Sequence, residues 1–119
     1  MYKRQTPGSL SEKVAIREVA EMTVKCLKEN IPSDLPGVAF LSGGQTELEA
    51  TAHLNEMNKI GEFPWKLSFS YGRALQQSAL KAWSGQSENI FIAQDELSHR
   101  AEMNKLAALG QWDIKLEDR

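Results

Sequence analysis

Apolar side chains at helical spacing predict four helices along the chain. In the first stretch they recur every three or four residues, at Ala15, Val19, Met22 and Cys26, flanked by Ile16, Ala20, Thr23 and Leu27, which places them on one helical face. Prolines, glycines and capping residues bound these stretches, since Pro and Gly interrupt a helix and Ser or Thr caps one. The predicted helices run from Ser9 or Ser11 to about Glu29, from Thr46 to about Ile60, from Ala74 to about Trp83, and from Ser87 or Glu88 towards Leu109 with Gly110 as C-cap.

Two shorter apolar stretches predict β-strands. Residues 37–41 form a continuous apolar run, which is typical of a strand buried on both faces of a parallel sheet. In residues 65–70 apolar side chains alternate with polar ones, which also indicates a strand. The order α-β-α-β-α-α favours an α/β fold with parallel crossovers. Two strands are too few for a stable parallel sheet, so we expect a piece of a larger α/β domain or a chain that assembles with another.

Composition and charge narrow the class of protein. The 119 residues suffice for one domain, and the 41% hydrophobic and 25% charged content is that of a folded globular protein. A net charge of −2 offers no basic footprint for nucleic acid or an anionic membrane. No apolar run reaches the roughly 18 residues of a membrane-spanning helix, and one cysteine excludes an internal disulfide. We therefore expect a soluble, cytoplasmic protein.

Each predicted strand ends in a Ser/Gly turn that leads into a helix. Ser42, Gly43 and Gly44 follow the first strand, and Gly72 and Arg73 follow the second. Functional sites of parallel α/β folds lie at the carboxyl ends of the strands, where N–H groups at a helix N-terminus favour an anion. One such turn alone is more often only a tight turn. Two of them at adjacent strand ends, one with a guanidinium that can bind phosphate, predict a phosphate site.

Other residues that could carry chemistry have simpler explanations. His53 and His99 lie far apart with no partner at metal-ligand spacing, so we expect both on helix surfaces and no metal site. Glu47 and Glu49 complement a helix N-terminus, so capping explains them. The charges of residues 88–100 are expected on a solvated helix face. Core packing is expected of Cys26, Met22, Met57, Met103, Trp65 and Trp83.

The segment Leu41–Gln45 is similar to the signature of ATP-binding-cassette ATPases. The chain has no G-x-x-x-x-G-K-[ST] phosphate loop, and no apolar strand ending in aspartate follows the segment. Both are expected in that class of protein, so the surrounding sequence argues against this reading.

A longer match resembles class I fructose-bisphosphate aldolase. Its most specific segments are residues 37–45, 54–59, 64–76 and 80–83, and the similarity extends from Thr6 to about Leu109. The resemblance implies an α/β fold that is the C-terminal quarter of a (β/α)8 TIM barrel: the helix after strand six, then strands seven and eight with their helices. We divide the chain into residues 1–5, a leader; 6–110, a partial aldolase barrel; and 111–119, a C-terminal tail.

The resemblance also implies a lyase reaction of glycolysis and gluconeogenesis. Members of the family reversibly cleave fructose 1,6-bisphosphate to dihydroxyacetone phosphate and glyceraldehyde 3-phosphate through a lysine Schiff base, with no metal and no cofactor. In this chain the resemblance assigns one substrate phosphate to Ser42, Gly43, Gly44, Ser70, Gly72 and Arg73. The phosphorylated sugar is the implied binding partner, and a homotetramer is the implied assembly of the parent protein.

The N-terminal segment departs from the family. The family's nucleophilic lysine lies in a Lys-Pro-Asn segment, whose spacing from the Thr-Pro-Gly segment places Met1 at the lysine position. With a GTG start, the codons GTG-TAT-AAG-AGA-CAG encode Met1–Gln5 and match a transposon end used as a sequencing adaptor. We therefore expect residues 1–5 to be a non-native leader and the chain by itself to carry no catalytic residue and no lyase activity.

Two alternative functions remain open at this point. The chain could be a non-catalytic module that binds a phosphorylated ligand, retained after loss of the nucleophile. It could instead be an interaction protein whose exposed sheet edges recruit a partner chain. Because six of eight barrel strands would be missing, we also expect poor folding of the chain by itself.

Overall fold

The computed structural model describes residues 16–61 and 63–118. The helices are α1 (Ile16–Asn30), α2 (Glu47–Ile60), α3 (Arg73–Trp83) and α4 (Ile90–Ala108), the strands are β1 (Gly37–Phe40) and β2 (Lys66–Phe69), and Ser87–Asn89 and Ile114–Glu117 form short 3-10 helices. The order α-β-α-β-α-α is confirmed. The start predicted for the first helix and the leader Met1–Gln5 lie outside the described residues.

The two strands form a parallel pair, as predicted. Val38 lies opposite Leu67 and Phe40 opposite Phe69. A further backbone hydrogen bond, from Ser70 N to Phe40 O at 2.8 Å, extends the pairing beyond β2. Because the strands are parallel and in register, their carboxyl ends lie at the same edge of the sheet, and α2 makes the crossover between them.

Burial of β1 differs from the prediction. Val38 and Phe40 are buried, whereas Ala39 is half-buried and Gly37 is exposed. Side chains alternate across a strand, so one face of β1 is covered and the other is only partly covered in the described part of the chain. The continuous apolar run therefore does not correspond to burial on both faces here.

Helices α1, α2 and α4 pack with the strands around one apolar core. Leu54 of α2 is fully buried at its centre, and Trp65 donates from Nε1 to Pro32 O at 2.9 Å. The core cluster includes Ala20, Val24, Leu27, Val38, Phe40, Ala50, Leu54, Met57, Leu67 and Ala107. Core positions predicted for Met57, Met103 and Trp65 are confirmed.

The helical face predicted for α1 is confirmed at Val19, Ala20, Thr23 and Leu27 but wrong at Met22 and Cys26. Its buried residues are Val19, Ala20, Thr23, Val24 and Leu27, whereas Met22 is 62% exposed and Cys26 is exposed. The buried stripe is rotated by about one residue, because i+3 and i+4 spacing fits two neighbouring stripes of this helix equally well. Trp83, at the end of α3, is also exposed rather than in the core.

Two predicted helix ends are confirmed by their hydrogen bonds. Thr46 Oγ1 accepts from Glu49 N at 3.1 Å and caps α2. Gly110 follows α4 with φ of 71°, a conformation that favours glycine. A Cβ on Gly110 would also lie 3.2 Å from the carbonyl oxygen of Asn58, so this position needs glycine on two grounds.

The C-terminal tail, for which no element is predicted, packs against α2 and α4. Asn55 donates from Nδ2 to Trp112 O and accepts from Trp112 N, both at 2.9 Å. Glu117 then receives two hydrogen bonds of 2.9 Å from the guanidinium of Arg100 and a third from Trp112 Nε1. Arg100 is only 6% exposed, so the expectation of a solvated charged face fails at this residue.

Hydrogen bonds to Glu117 govern its protonation. Burial alone would raise the pKa of its carboxyl, but hydrogen bonds from Arg100, Trp112 and His99 outweigh burial and lower the pKa below its usual 4.5. A carboxyl with a lowered pKa adds stability above its unfolded-state pKa and loses it as the pH falls through the folded-state pKa. The anchored tail is therefore stabilised at neutral pH and weakened in acid.

Candidate functional site

The turn that follows β1 lies at the carboxyl edge of the sheet. Gln45 N donates to Ser42 O at 2.8 Å and closes the turn over Gly43 and Gly44. Gly44 has φ of 76°, the left-handed region that favours glycine. The next residue, Thr46, caps α2, so the turn leads directly into the N-terminus of that helix. We name residues Ser42–Gln45 the first turn.

The turn that follows β2 lies beside it. Ser70 is hydrogen-bonded to Phe40, so residues 70–72, the second turn, begin next to the end of β1. Gly72 precedes α3, and its carbonyl oxygen accepts from Leu75 N and Gln76 N at 3.1 and 3.2 Å. The N-cap residue of α3 is Gly72, which makes no side-chain cap hydrogen bond. Arg73, the first residue of α3, is exposed.

The structure brings the six residues predicted for phosphate binding to one edge of the sheet. Ser42 is half-buried, and the other five residues are exposed: Gly43, Gly44, Ser70, Gly72 and Arg73. An added Cβ at Gly43 or Gly72 would meet no atom within 4 Å, so space is open in front of both turns. Two helix N-termini and one guanidinium at this edge favour an anion.

The N-terminal end of α2 is hydrogen-bonded to residues on both sides of Gly72. Tyr71 donates from its hydroxyl to Ala50 O at 2.9 Å, and burial raises the pKa of this phenol, which stays a neutral donor. Glu47 Oε1 accepts from Ser78 N at 2.6 Å and Oε2 accepts from Ser78 Oγ at 2.5 Å. Glu47 lies in the first helical turn of α2, as predicted, but its carboxylate faces α3 and Arg100, so capping alone does not explain this residue.

Neither of these hydrogen-bonded contacts was predicted from the sequence. The residues are Tyr71 and Glu47, and each partner lies more than 20 positions away along the chain. An apolar-polar pattern reports which face of an element is covered, not which side chain on another element it meets. The pattern therefore contains no signal that could have found them.

The two histidines are also placed differently from the prediction. His53 is half-buried, and its Nδ1 lies 2.8 Å from Gln45 Nε2 of the first turn. His99 has a side chain only 11% exposed and lies 3.1 Å from a carboxylate oxygen of Glu117. The helix-surface prediction is therefore wrong for His99 and holds only in part for His53. Each histidine has a hydrogen-bonding role that accounts for its burial.

A small cavity lies beneath the first turn. Its lining includes Thr23 of α1, Phe40, Gln45 and His53. Thr23 Oγ1 is buried there without a hydrogen-bond partner among the described residues.

Within residues 16–61 and 63–118, no group of three His, Cys, Asp or Glu side chains is placed to hold a metal ion. None of the helices described is long and apolar enough to cross a membrane.

Comparison with known proteins gives consistent matches over nearly the whole chain. A family model described as glycolytic, fructose-bisphosphate aldolase class-I, matches residues 4–119. A probable fructose-bisphosphate aldolase class 1 of Xanthomonas axonopodis pv. citri is 56% identical over 105 residues, covering 87% of this chain and 31% of the relative. A cytoplasmic isozyme of fructose-bisphosphate aldolase from Cicer arietinum is 57% identical over 108 residues, covering 90% of this chain and 30% of the relative.

A solved structure matches with similar coverage. It is fructose-bisphosphate aldolase from Plasmodium falciparum in complex with TRAP and a small-molecule inhibitor. The TM-score is 0.84 at 48% sequence identity, over 87% of this chain and 30% of that chain. This chain thus spans about three-tenths of the length of the relatives it matches.

Proposed function

The chain belongs to the class I fructose-bisphosphate aldolase family, and from this premise we propose that it is the phosphate-binding part of an aldolase. The complete enzyme reversibly cleaves fructose 1,6-bisphosphate to dihydroxyacetone phosphate and glyceraldehyde 3-phosphate. The observation that carries the proposal is the meeting of two Ser/Gly turns, each before a helix N-terminus, at the carboxyl edge of a parallel strand pair.

The chain forms the C-terminal quarter of a (β/α)8 barrel. Two parallel strands, each followed by a helix, and coverage of about three-tenths of its relatives support this architecture. Phosphate sites at the loops after the last two strands recur in such barrels. We also propose that the complete enzyme is a homotetramer and that it is located in the cytoplasm.

Each predicted residue has a defined task at the site. Backbone N–H groups within Ser42–Gly44 and at Gly72 donate to phosphate oxygens, because N–H groups close to a helix N-terminus attract anions. Arg73 adds a guanidinium that forms two parallel hydrogen bonds to phosphate. Ser42 and Ser70 supply hydroxyl donors at the mouths of the two strands.

These residues bind and orient the substrate and do not carry out the bond cleavage. The lysine that forms the Schiff base, and the groups that transfer protons, belong to other strands of the barrel in the family. Holding the substrate phosphate at a fixed distance from that lysine makes the reaction effectively unimolecular. The contribution of this chain is therefore substrate affinity and alignment.

The test uses a complete barrel. We define a chimera in which residues 6–119 of this chain replace the corresponding C-terminal part of the Xanthomonas relative. Replacing Arg73 with Ala in the chimera is expected to lower kcat/KM for fructose 1,6-bisphosphate about 10- to 100-fold, mostly by raising KM. Charged hydrogen bonds are worth about 1.5–3 kcal/mol, and about 1.4 kcal/mol corresponds to a factor of ten.

Lys81→Ala is the matched control for this experiment. Lys81 is an exposed cation in the last turn of the same helix, α3, so its loss changes the net charge equally but leaves the phosphate site intact. We expect kcat/KM within about twofold of the parent chimera, as is usual for an exposed charge. Equal effects of Arg73→Ala and Lys81→Ala would overturn the proposed role of Arg73.

A further inference from the structure

A buried carboxylate connects the two helices that follow the phosphate turns. Glu47 is 8% exposed, and both of its carboxylate oxygens accept hydrogen bonds from Ser78, at 2.6 Å from the backbone N–H and at 2.5 Å from the hydroxyl. Burial of a carboxylate is costly unless it is hydrogen-bonded and its charge is balanced. An exposed position would avoid this cost, so the placement of Glu47 calls for a specific explanation.

The position of Glu47 along the chain links the contact to the site. Glu47 is the first residue of α2, directly after the first turn and its cap, Thr46. Ser78 lies on α3, which begins at Arg73 directly after the second turn. A contact between Glu47 and Ser78 therefore fixes the N-terminus of α2 relative to the middle of α3.

A second contact, made by Tyr71 within the second turn, also reaches α2. Tyr71 precedes Gly72 and donates to Ala50 O of α2, whereas Ser78 follows Gly72 on α3. The first four residues of α2 thus contact the chain both before and after Gly72–Arg73. Rotation or sliding of α3 relative to α2 would break at least one of these hydrogen bonds.

A cation from a third helix partly offsets the charge of Glu47. Arg100 Nε lies 3.6 Å from Glu47 Oε2, and Arg100 is itself buried. A negative charge near an anion site would otherwise repel phosphate, by an amount that grows in a low-dielectric setting. Arg100, which also pairs with Glu117 at 2.9 Å, offsets part of this repulsion.

We propose that Glu47 is a positioning residue that holds the two turns at the separation at which both contact the same phosphate group. The inference rests on the proposed function, since it assigns Glu47 to the phosphate site of that enzyme. Glu47 does not touch the substrate; it acts through the placement of Gly72 and Arg73. Small misplacements of binding groups reduce activity strongly, by up to about 100-fold for 1 Å.

The test measures KM and kcat separately in the chimera carrying Glu47→Ala, Ser78→Ala or both substitutions. Each single substitution is expected to raise KM for fructose 1,6-bisphosphate, by about fivefold or more for Glu47→Ala, and to lower kcat by a smaller factor, because the phosphate is both bound and aligned less well. The double variant should be no worse than Glu47→Ala, because the two substitutions remove the same contact. Glu49→Ala is the control, because it removes an equal charge from the same helical turn but leaves the Ser78 contact intact.

The outcomes separate this inference from the proposed function. A parent chimera that is folded but does not cleave fructose 1,6-bisphosphate contradicts the proposed function itself. An active parent in which Glu47→Ala and Ser78→Ala leave KM at the value of Glu49→Ala contradicts only the positioning role, as does an equal fall in kcat with no change in KM. If Glu47→Ala fails to fold, Ser78→Ala decides by the same criterion, since Ala is well tolerated inside a helix.

Discussion

The 119-residue chain alone is expected to produce no measurable triose phosphate from fructose 1,6-bisphosphate, a deficit of about 10⁴-fold or more relative to the chimera. Loss of a nucleophile has effects of this size, and the family resemblance places Met1 at the lysine position. The described residues supply two strands, whereas the proposed barrel has eight. A coupled assay for glyceraldehyde 3-phosphate measures the rate.

Borohydride trapping provides the independent readout for the same prediction. Dihydroxyacetone phosphate with borohydride should add covalently to the chimera and not to the isolated chain, as judged by intact mass. The chimera is the positive control for substrate, reductant and detection. A stoichiometric adduct on the isolated chain, or cleavage by it at neutral pH, would contradict this expectation and show that a lysine of this chain forms the Schiff base.

The second large effect is expected from Arg100→Met, which should lower the free energy of unfolding of the chimera by about 3–5 kcal/mol. Arg100 is buried and pairs with Glu117 at 2.9 Å and with Glu47 at 3.6 Å. Removing one partner of a buried ion pair leaves uncompensated charge, which is costly. Here two carboxylates would lose the same cation, and the tail would lose its main anchor. Urea unfolding at pH 7 measures the difference.

Acid should reduce this difference. The pKa of Glu117 is lowered in the folded protein, so the stabilisation by Arg100 is present at neutral pH and is lost as the pH falls through that lowered value. Lys105→Met is the control, because Lys105 is an exposed cation of the same helix, 4.0 Å from Glu102, and exposed pairs contribute about 0–1 kcal/mol. Equal losses from Arg100→Met and Lys105→Met would show that the buried cluster does not anchor the tail.

The elements of the fold were predictable because each is specified locally. Thr46 caps α2 through Glu49 N, and Gly110 ends α4 in the left-handed conformation. Both are signals contained within a few residues. Parallel pairing also followed, because a helix between two strands provides the long crossover that parallel strands need.

The errors arose where a pattern allows two solutions or where partners are distant in sequence. In α1 the spacing of Val19 suits either of two adjacent stripes, and packing against α2 selects the one that buries Thr23 and exposes Met22. In the sequence, Arg100 resembles any charged residue of a solvated helix. Its burial becomes evident only from its contact with Glu117 in the folded chain. Burial of a charge is determined by its partner, which the local pattern does not reveal.

The candidate site was predictable in its location but not in its construction. Parallel strands bring Ser42–Gly44 and Gly72–Arg73 to one edge, and this follows from topology alone. The side chains that tie the two turns together, Glu47 and Tyr71, are found only once α2 and α3 are placed against each other. Sequence therefore places both turns at one edge of the sheet, whereas tertiary packing sets the distance between them.

The most direct test of the central claim is a crystal structure of the chimera with dihydroxyacetone phosphate. We expect the phosphate to lie between the two turns, with its oxygens within about 3.2 Å of backbone N–H groups of the first turn and of Gly72, and with Arg73 in contact. A phosphate bound elsewhere in the barrel, with both turns empty at saturating ligand, would contradict the account.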